Sequence, residues 1–226
     1  MAGRRGRALI GRRGRVFGHT PAPVADLPIA FGDELAARFA AVIDVEAKIP
    51  RALEALGPVG GRDVLLLDGA DGIRVRQLAE LGSRVSYAAA NGPARIDAPD
   101  DSADVAVSLW TPFRGTDARE AAEVARVLRP GGRLLVLLDY GRDDVSRLRG
   151  DVPEYGLLSR RDGPFLSGGF KVRVVHCFWT FASQDEAGAF LDEAFGEVGR
   201  EVAAGMKRPR LAYNVAVYHR TFGAAS

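Results

Sequence analysis

Hydrophobic residues along the chain fall into runs with two different spacings. The unbroken apolar run Val64–Leu67 predicts a strand covered on both faces, since strands of a parallel sheet are buried between helices. Apolar positions within Ile73–Leu81 have the spacing of a short helix packed on that sheet. Gly69 and Gly72 lie between the two and predict a tight turn that a ligand can approach closely. A strand, a glycine turn and a helix N-terminus together suit a polar ligand.

The alternation of strand and helix continues to the C-terminal end. Asp117 is placed to cap a helix, with Glu120 as the reciprocal partner in a capping box. Short links between the elements favour an α/β fold with a doubly wound, mostly parallel sheet. The other predicted strands are Arg84–Ala89, Val105–Trp110, Arg133–Tyr140, Val172–Phe181 and Leu211–Arg220, and the other predicted helices are Ala118–Leu128 and Ser183–Phe195.

Two helices are predicted ahead of the first strand. Asp33 is placed to cap a helix over Glu34–Ile49, and Pro50 to open a second over Arg51–Leu56. With 226 residues, of which 47% are hydrophobic, the chain can bury one good core. We therefore expect a basic tail over residues 1–25 and a single domain over 26–226, with helices in 26–57 and the sheet in 58–226.

Two segments of the chain resemble class I S-adenosylmethionine-dependent methyltransferases. E-V-A-R-V-L-R-P-G-G-R-L-L-V-L-L, at Glu123–Leu138, is similar to the helix, turn and fifth strand of that family, and Asp101–Ser108 to its approach to strand four. The order of elements matches from about residue 34 to the end. The resemblance implies a Rossmann-like methyltransferase sheet whose final strand runs antiparallel between strands five and six. It also implies S-adenosylmethionine as the cofactor.

The family's cofactor loop reads acidic-x-Gly-x-Gly-x-Gly, and this chain departs from it. Aligned on Gly72, the chain has Leu66, Asp68 and Ala70 at the other three positions, so one of four matches. The resemblance still implies that the loop holds the cofactor, with its two carboxylates facing the methionine ammonium group. The alternative is ordinary turn and capping chemistry. The candidate cofactor residues of the loop are Asp68, Gly69, Ala70, Asp71 and Gly72.

Two further departures follow the second predicted strand. Where the family places an acid that binds both ribose hydroxyls, this chain has Asn91, which is either a partial replacement or a turn residue. Too few residues separate Asn91 from Asp104 for a helix, a strand and two links, so the third helix-strand unit is predicted to be truncated. Arg95–Asp97 is the candidate remnant of strand three, and Asp97 the candidate partner of the adenine amine.

Catalytic residues are poorly marked, because methyl transfer depends above all on aligning donor and acceptor. Trp110, Phe113 and Tyr140 lie at or after strand ends, where such sheets bind ligands. They either clasp a sulfonium by cation–π attraction or pack at the rim, and Trp110 is included among the cofactor contacts. His176 and Cys177 lie on opposite faces of a predicted strand, where the histidine is either a base or a structural residue.

Charge is distributed unevenly along the chain. Six arginines between Arg4 and Arg15, with no acid in residues 1–25, precede a mildly acidic remainder, since the whole chain carries only +2. This tail either binds nucleic acid or an acidic partner, or is a solvated terminus. The single cysteine, Cys177, excludes an internal disulfide. No apolar run approaches the roughly 20 residues that span a bilayer, and no secretory signal is evident, so we expect no membrane association and a cytoplasmic location.

Two functions are compatible with these features. The first is methyl transfer from S-adenosylmethionine to an unidentified acceptor. The second is a non-catalytic methyltransferase-fold protein that has lost cofactor binding and acts as a binding or scaffold module. The intact fold signature favours the first, and the altered loop, the missing ribose acid and the truncated unit favour the second. Dinucleotide cofactors rank lower, because the loop lacks G-x-G-x-x-G and its carboxylates repel a pyrophosphate.

Overall fold

The computed structural model describes residues 27–68, 72–91, 95–150 and 154–223. The strands in chain order are β1 (Asp63–Leu67), β2 (Arg84–Ala88), β3 (Ala90–Asn91), β4 (Arg95–Ile96), β5 (Ala103–Leu109), β6 (Leu128–Asp139), β7 (Lys171–Thr180) and β8 (Arg210–Thr221). The helices are α1 (Asp33–Val42), α2 (Lys48–Leu56), α3 (Ile73–Glu80), α4 (Ala118–Val127), α5 (Asp144–Leu148), α6 (Glu154–Leu158), α7 (Pro164–Ser167) and α8 (Gln184–Gly205).

The main sheet has six strands in the order β2-β1-β5-β6-β8-β7. Neighbouring strands from β2 to β6 run parallel, whereas β8 runs antiparallel to both β6 and β7. Val64–Leu67 is buried throughout, as its unbroken apolar run predicts. The predicted α/β class, the doubly wound sheet and the antiparallel final strand between the last two parallel strands are therefore confirmed.

Helices cover both faces of this sheet. On one face α1, α2, α3 and α8 pack through a cluster that includes Phe39, Leu53, Trp179 and Phe190. Phe39 meets the Trp179 ring edge-on at a centroid distance of 4.7 Å. The other face packs against α4, α6 and α7. Each fully buried leucine or phenylalanine side chain in these clusters stabilises the fold by about 1.5–3 kcal/mol relative to an exposed one. The two clusters therefore supply most of the driving force for folding.

The third helix-strand unit is truncated, as predicted. Among the described residues between β2 and β5 there is no helix, only β3 and β4. The interpretation of Arg95–Asp97 as a remnant of strand three is wrong, because β4 pairs antiparallel with β3 outside the main sheet. Glu123 of α4 accepts a hydrogen bond from the Ile96 amide at 3.1 Å and holds this hairpin in place. A link this short cannot cross back to place a parallel strand beside β2.

The predicted N-terminal helices differ from the observed ones at their junction. α1 ends at Val42 rather than Ile49, and its N-cap is Gly32 rather than Asp33. The reason is Asp44, whose left-handed backbone (φ 53°) turns the chain. Its carboxylate accepts hydrogen bonds from the amides of Lys48 and Ile49 at 2.9 and 2.8 Å. α2 therefore begins before Pro50, which occupies its first turn, where proline is tolerated.

Other boundaries also move. Asp117 caps α4 as predicted, at 2.8 and 3.0 Å from the amides of Arg119 and Glu120. The prediction that Glu120 completes a capping box by accepting from the Asp117 amide is wrong, because its carboxylate accepts from the Thr116 amide at 3.2 Å instead. α8 continues past Phe195 to Gly205 across a break at Gly196.

Within the described ranges, no helix has both the length and the apolar character needed to cross a membrane.

Candidate functional site

The strand order of the sheet reverses between β1 and β5. From β1 the chain moves outward to β2, and then returns to place β5 on the other side of β1. Ligands of open α/β sheets bind outside the carboxyl ends of the strands at such a switch point. Asp68 directly follows β1 and Trp110 directly follows β5, and both have a left-handed backbone with φ 51°. That conformation costs roughly 1–3 kcal/mol for a residue other than glycine and is common at ligand sites.

Asp68 connects the end of β1 to the chain that leaves β2. Its Oδ1 accepts a hydrogen bond from the Ala90 amide at 2.7 Å, and its own amide donates to the Ala88 carbonyl at 2.9 Å. Gly72 is the N-cap residue of α3 and has an extended backbone there. The other three candidate loop residues, Gly69, Ala70 and Asp71, lie outside the described residues. The structure therefore places the two ends of the predicted cofactor loop at the switch point.

Asn91 and Asp97 lie at the same corner of the sheet. Asn91 pairs with Arg95 across the β3–β4 hairpin, and the Asp97 amide donates to the Ala89 carbonyl at 3.1 Å. The Asp97 side chain is exposed. Backbone contacts thus bring Asn91 and Asp97 to the carboxyl end of β2, beside Asp68. Their contacts to ribose and adenine stay predictions.

Trp110 is held from the other side of the switch point by Asp139, at the end of β6. The indole Nε1 donates to Asp139 Oδ1 at 2.9 Å. The same carboxylate accepts hydrogen bonds from Tyr213 of β8 and from Arg149, and it is 10% exposed. Burial, followed by the negative charge of Asp139, holds the pKa of Tyr213 well above its usual value. One carboxylate therefore joins the ends of β5, β6 and β8.

Sequence reasoning missed Asp139. The residue ends the buried apolar run of β6 on the same edge of the sheet as Asp68. The rule that selected Asp68, a polar residue at the carboxyl end of a buried parallel strand, selects Asp139 as well. Of the other two aromatic candidates, Phe113 is buried in the core on the α4 side, which agrees with the packing alternative, and Tyr140 is partly buried.

A buried ion pair lies next to the loop. Arg74, in the first turn of α3, and Asp44 have side chains 1% and 0% exposed, and Nη1 of the arginine is 3.5 Å from Oδ2 of the aspartate. Arg74 also donates to Gln77 at 2.6 Å. Burial, followed by the charge of Asp44, raises the pKa of the Cys177 thiol, which excludes a thiolate there at neutral pH.

His176 is distant from the switch point. It lies on β7, four strands from β1 in the sheet, which corresponds to about 19 Å at the usual strand spacing. Its Nδ1 is 2.7 Å from Oδ1 of Asn214, its partner on β8. This cross-strand pair agrees with the structural alternative for the histidine. Among the residues that the structure describes, no group of three or more His, Cys, Asp or Glu side chains is placed to hold a metal ion.

The position of β8 decides the fold. An antiparallel final strand between β6 and β7, in a sheet that is otherwise parallel and lacks only its third unit, is the arrangement that the sequence resemblance implies. The fold is that of a class I methyltransferase. No family model and no curated protein matches the chain by sequence.

Solved methyltransferase structures are similar to this chain at low identity. A proposed type II methyltransferase from Anaeromyxobacter dehalogenans is 20% identical, with 78% of this chain and 96% of that chain covered and a TM-score of 0.48. A SAM-dependent methyltransferase from Aquifex aeolicus is 16% identical over 82% and 96% of the two chains, with a TM-score of 0.45. One from Mesorhizobium loti is 18% identical over 74% and 96%, with a TM-score of 0.36.

Proposed function

We propose that this protein binds S-adenosylmethionine at the switch point between β1 and β5 and transfers its methyl group to an acceptor that is still to be identified. The observation that carries the proposal is the pair of left-handed residues, Asp68 and Trp110, at the carboxyl ends of the two strands that flank the switch point. Strained backbone at a topological switch point is typical of a ligand site.

The residue types at this corner suit the donor groups of S-adenosylmethionine. The ligand presents an ammonium group, two ribose hydroxyls and an adenine amine, all of which donate hydrogen bonds. Asp68, Asn91 and Asp97 supply acceptor oxygens, and Asp71 of the loop supplies another carboxylate. The aromatic face of Trp110 attracts a sulfonium by cation–π interaction. A pyrophosphate, by contrast, is repelled by the same carboxylates.

The chain's own contribution to methyl transfer is alignment. The bond from Trp110 to Asp139 fixes the indole from the core side, and the bond from Asp68 to Ala90 fixes the corner where β1 and β2 end. Rigid walls on both sides of the switch point favour one orientation of a bound donor, and orientation alone contributes several kcal/mol to a transfer reaction, up to about 7–11. The cofactor supplies the activated methyl group.

A non-catalytic binding module is the second candidate function. The observation that favours it is that Asp68 and Trp110 already form hydrogen bonds within the protein, to Ala90 and Asp139. Side chains occupied in this way can be structural residues of a fold that has lost its cofactor. This candidate predicts that neither S-adenosylmethionine nor S-adenosylhomocysteine binds.

Calorimetric titration with both ligands separates the two candidates. Asp68→Ala is compared with Asp101→Ala, because Asp101 is also a left-handed aspartate (φ 49°) but precedes β5 at the opposite edge of the sheet. Micromolar binding that is lost in Asp68→Ala and kept in Asp101→Ala supports the donor site. No binding at millimolar ligand, with the protein shown to be folded, contradicts it and favours the binding module. Equal weakening in both variants contradicts a local role for Asp68.

We also propose that the arginines between Arg4 and Arg15, which lie outside the described residues, bind nucleic acid. Clustered arginines neutralise phosphates and release counterions, so such binding falls steeply with salt. Removing residues 1–25 is expected to weaken retention of RNA or DNA and to flatten its salt dependence. Unchanged retention contradicts the proposal, and retention of an acidic polypeptide alone indicates an acidic protein partner instead.

A further inference from the structure

A cavity of about 470 Å³ opens at the carboxyl edge of the sheet, beside β7 and β8. The candidate donor site lies along the same edge, beside β1 and β5. The cavity lies between α5, the end of α8 and the first residues of β8. Its apolar lining includes the half-buried Phe178 and Met206 and the buried Leu211. The volume falls within the range of small-molecule sites, roughly 300–1,000 Å³.

Four cationic side chains line this cavity. Arg147 of α5 and Lys207, Arg208 and Arg210 of the turn into β8 line it, together with the carboxylates of Asp144 and Glu201. Asp144 is occupied, since its Oδ2 accepts from the Ala212 amide at 2.9 Å and its Oδ1 is 3.6 Å from Arg147. Neither Lys207 nor Arg208 forms an ion pair with any residue that the structure describes. The lining of the cavity therefore carries an excess of positive charge.

The cationic turn is fixed in place by hydrogen bonds. Gln184 donates to the Met206 carbonyl at 3.1 Å, and the Phe181 amide donates to the Pro209 carbonyl at 2.8 Å. The Arg210 guanidinium lies over the Phe178 ring at 4.0 Å from its centroid, close enough for a cation–π contact. A backbone fixed before binding reduces the entropy lost when a ligand is held.

We propose that this cavity binds a small organic anion. An apolar, preferably aromatic, body lies against Phe178 and Leu211, and a carboxylate, sulfonate or phosphate group is held by Lys207, Arg208 and Arg210. Arginine forks match these planar or tetrahedral oxyanions, and charge-assisted hydrogen bonds are about twice as strong as neutral ones. The cavity adjoins β8 and β7, and β8, the nearer of the two, lies three strands from β1 in the sheet, about 14 Å at the usual strand spacing. The site is therefore separate from the donor site.

Fluorescence titration of the full-length protein with 8-anilinonaphthalene-1-sulfonate tests this site, with uncharged N-phenyl-1-naphthylamine as the control probe. Saturable one-site binding of the anionic probe, with the neutral probe at least about tenfold weaker, is expected because lost charged hydrogen bonds cost that much. Competition by 2-naphthoate and by 2-naphthyl phosphate then distinguishes a carboxylate ligand from a phosphate ligand. Equal binding of the neutral probe overturns the anion site.

Variants locate the binding. The double variant Lys207→Gln, Arg208→Gln and the single variant Arg210→Gln are expected to weaken the anionic probe at least about tenfold. Arg200→Gln is the matched control, since Arg200 lies on α8 in an exposed ion pair with Asp192. Unchanged binding in the turn variants, or equal loss in Arg200→Gln, overturns the proposal. Displacement of the probe by S-adenosylhomocysteine also overturns it, because it places the probe in the donor site.

Discussion

The indole of Trp110 donates a hydrogen bond to the carboxylate of Asp139 at 2.9 Å and so joins the carboxyl ends of β5 and β6. The Trp110 amide also donates to the Leu137 carbonyl at 2.9 Å. Asp139 in turn accepts from Tyr213 on β8. The aromatic ring at the switch point is therefore oriented by the core beneath it, before any ligand binds. Such preorganisation is what a site that works by alignment requires.

Asp139→Ala is expected to lower the free energy of unfolding by about 1–3 kcal/mol, since it leaves the half-buried indole N–H of Trp110 and the hydroxyl of the buried Tyr213 without their acceptor. Trp110→Phe removes one donor only and is expected to cost less. Urea unfolding followed by circular dichroism measures both changes. A midpoint for Asp139→Ala equal to that of the wild type contradicts a structural role for this carboxylate.

The raised pKa of Tyr213 predicts a loss of stability at high pH. The folded state keeps the phenol neutral because burial and the charge of Asp139 oppose ionisation, whereas the unfolded chain ionises near pH 10. This contribution is fully present below about pH 10 and is lost as the pH rises above it. Unfolding experiments between pH 8 and 11 are expected to show a shallower decline in Tyr213→Phe than in the wild type or in Tyr87→Phe, an exposed control. Equal slopes in all three proteins contradict the assignment.

The buried pair of Asp44 and Arg74 predicts strong coupling. Removing one member leaves an uncompensated buried charge, which typically costs about 3–5 kcal/mol. Asp44→Asn and Arg74→Met are each expected to be strongly destabilising, and the double variant much less so than their sum. Asn keeps only one oxygen, so one of the two hydrogen bonds from the amides of Lys48 and Ile49 is lost, and because this loss is the same with either residue at position 74 it cancels in the cycle. A double-mutant cycle by urea unfolding measures the coupling, and additive effects rule out a direct interaction.

An ion cluster at the amino edge of the sheet predicts acid sensitivity. Hydrogen bonds from Arg84 and then Arg129 lower the pKa of Asp63. For Asp104, burial opposes the change, but the Asp63 amide and Arg129 still hold its pKa below the usual value. A carboxylate whose pKa is lower in the folded state than in the unfolded chain stabilises the fold at pH values above its unfolded pKa, which is near 4. This stabilisation disappears as the pH falls through the folded-state pKa.

The stability gap between the wild type and Arg129→Gln is therefore expected to be larger at pH 7 than at pH 3. Urea midpoints at the two pH values measure it, with the exposed Arg119→Gln as the control. A gap that does not shrink on acidification contradicts the contribution of these carboxylates.

Most of the sheet could be predicted from the sequence because its central strands are unbroken apolar runs. Val64–Leu67 and Leu134–Leu138 have that pattern and are buried as predicted. Helix boundaries differ from the predicted ones where a polar side chain redirects the chain. Asp44 ends the first helix region early by adopting a left-handed backbone and capping the next helix, and nothing in the local pattern distinguishes it from an aspartate on a helix surface.

The candidate site could be predicted only in part. The positions of Asp68 and Trp110 followed from strand ends, which sequence periodicity locates well. Their partners, Ala90 and Asp139, did not, because cross-strand hydrogen bonds depend on the order of strands in space. The burial of Arg74 was also invisible, since arginine is usually exposed and its pairing with Asp44 joins elements that are about 30 residues apart.

The most direct test of the central proposal is ultraviolet photolabelling with S-adenosylmethionine that carries a tritiated methyl group, followed by peptide mapping. We expect label in peptides that contain Asp68 or Trp110, competed by S-adenosylhomocysteine and not by ATP, since both residues border the switch point. Label confined to other peptides, or no competable label on the folded protein, contradicts a donor site between β1 and β5.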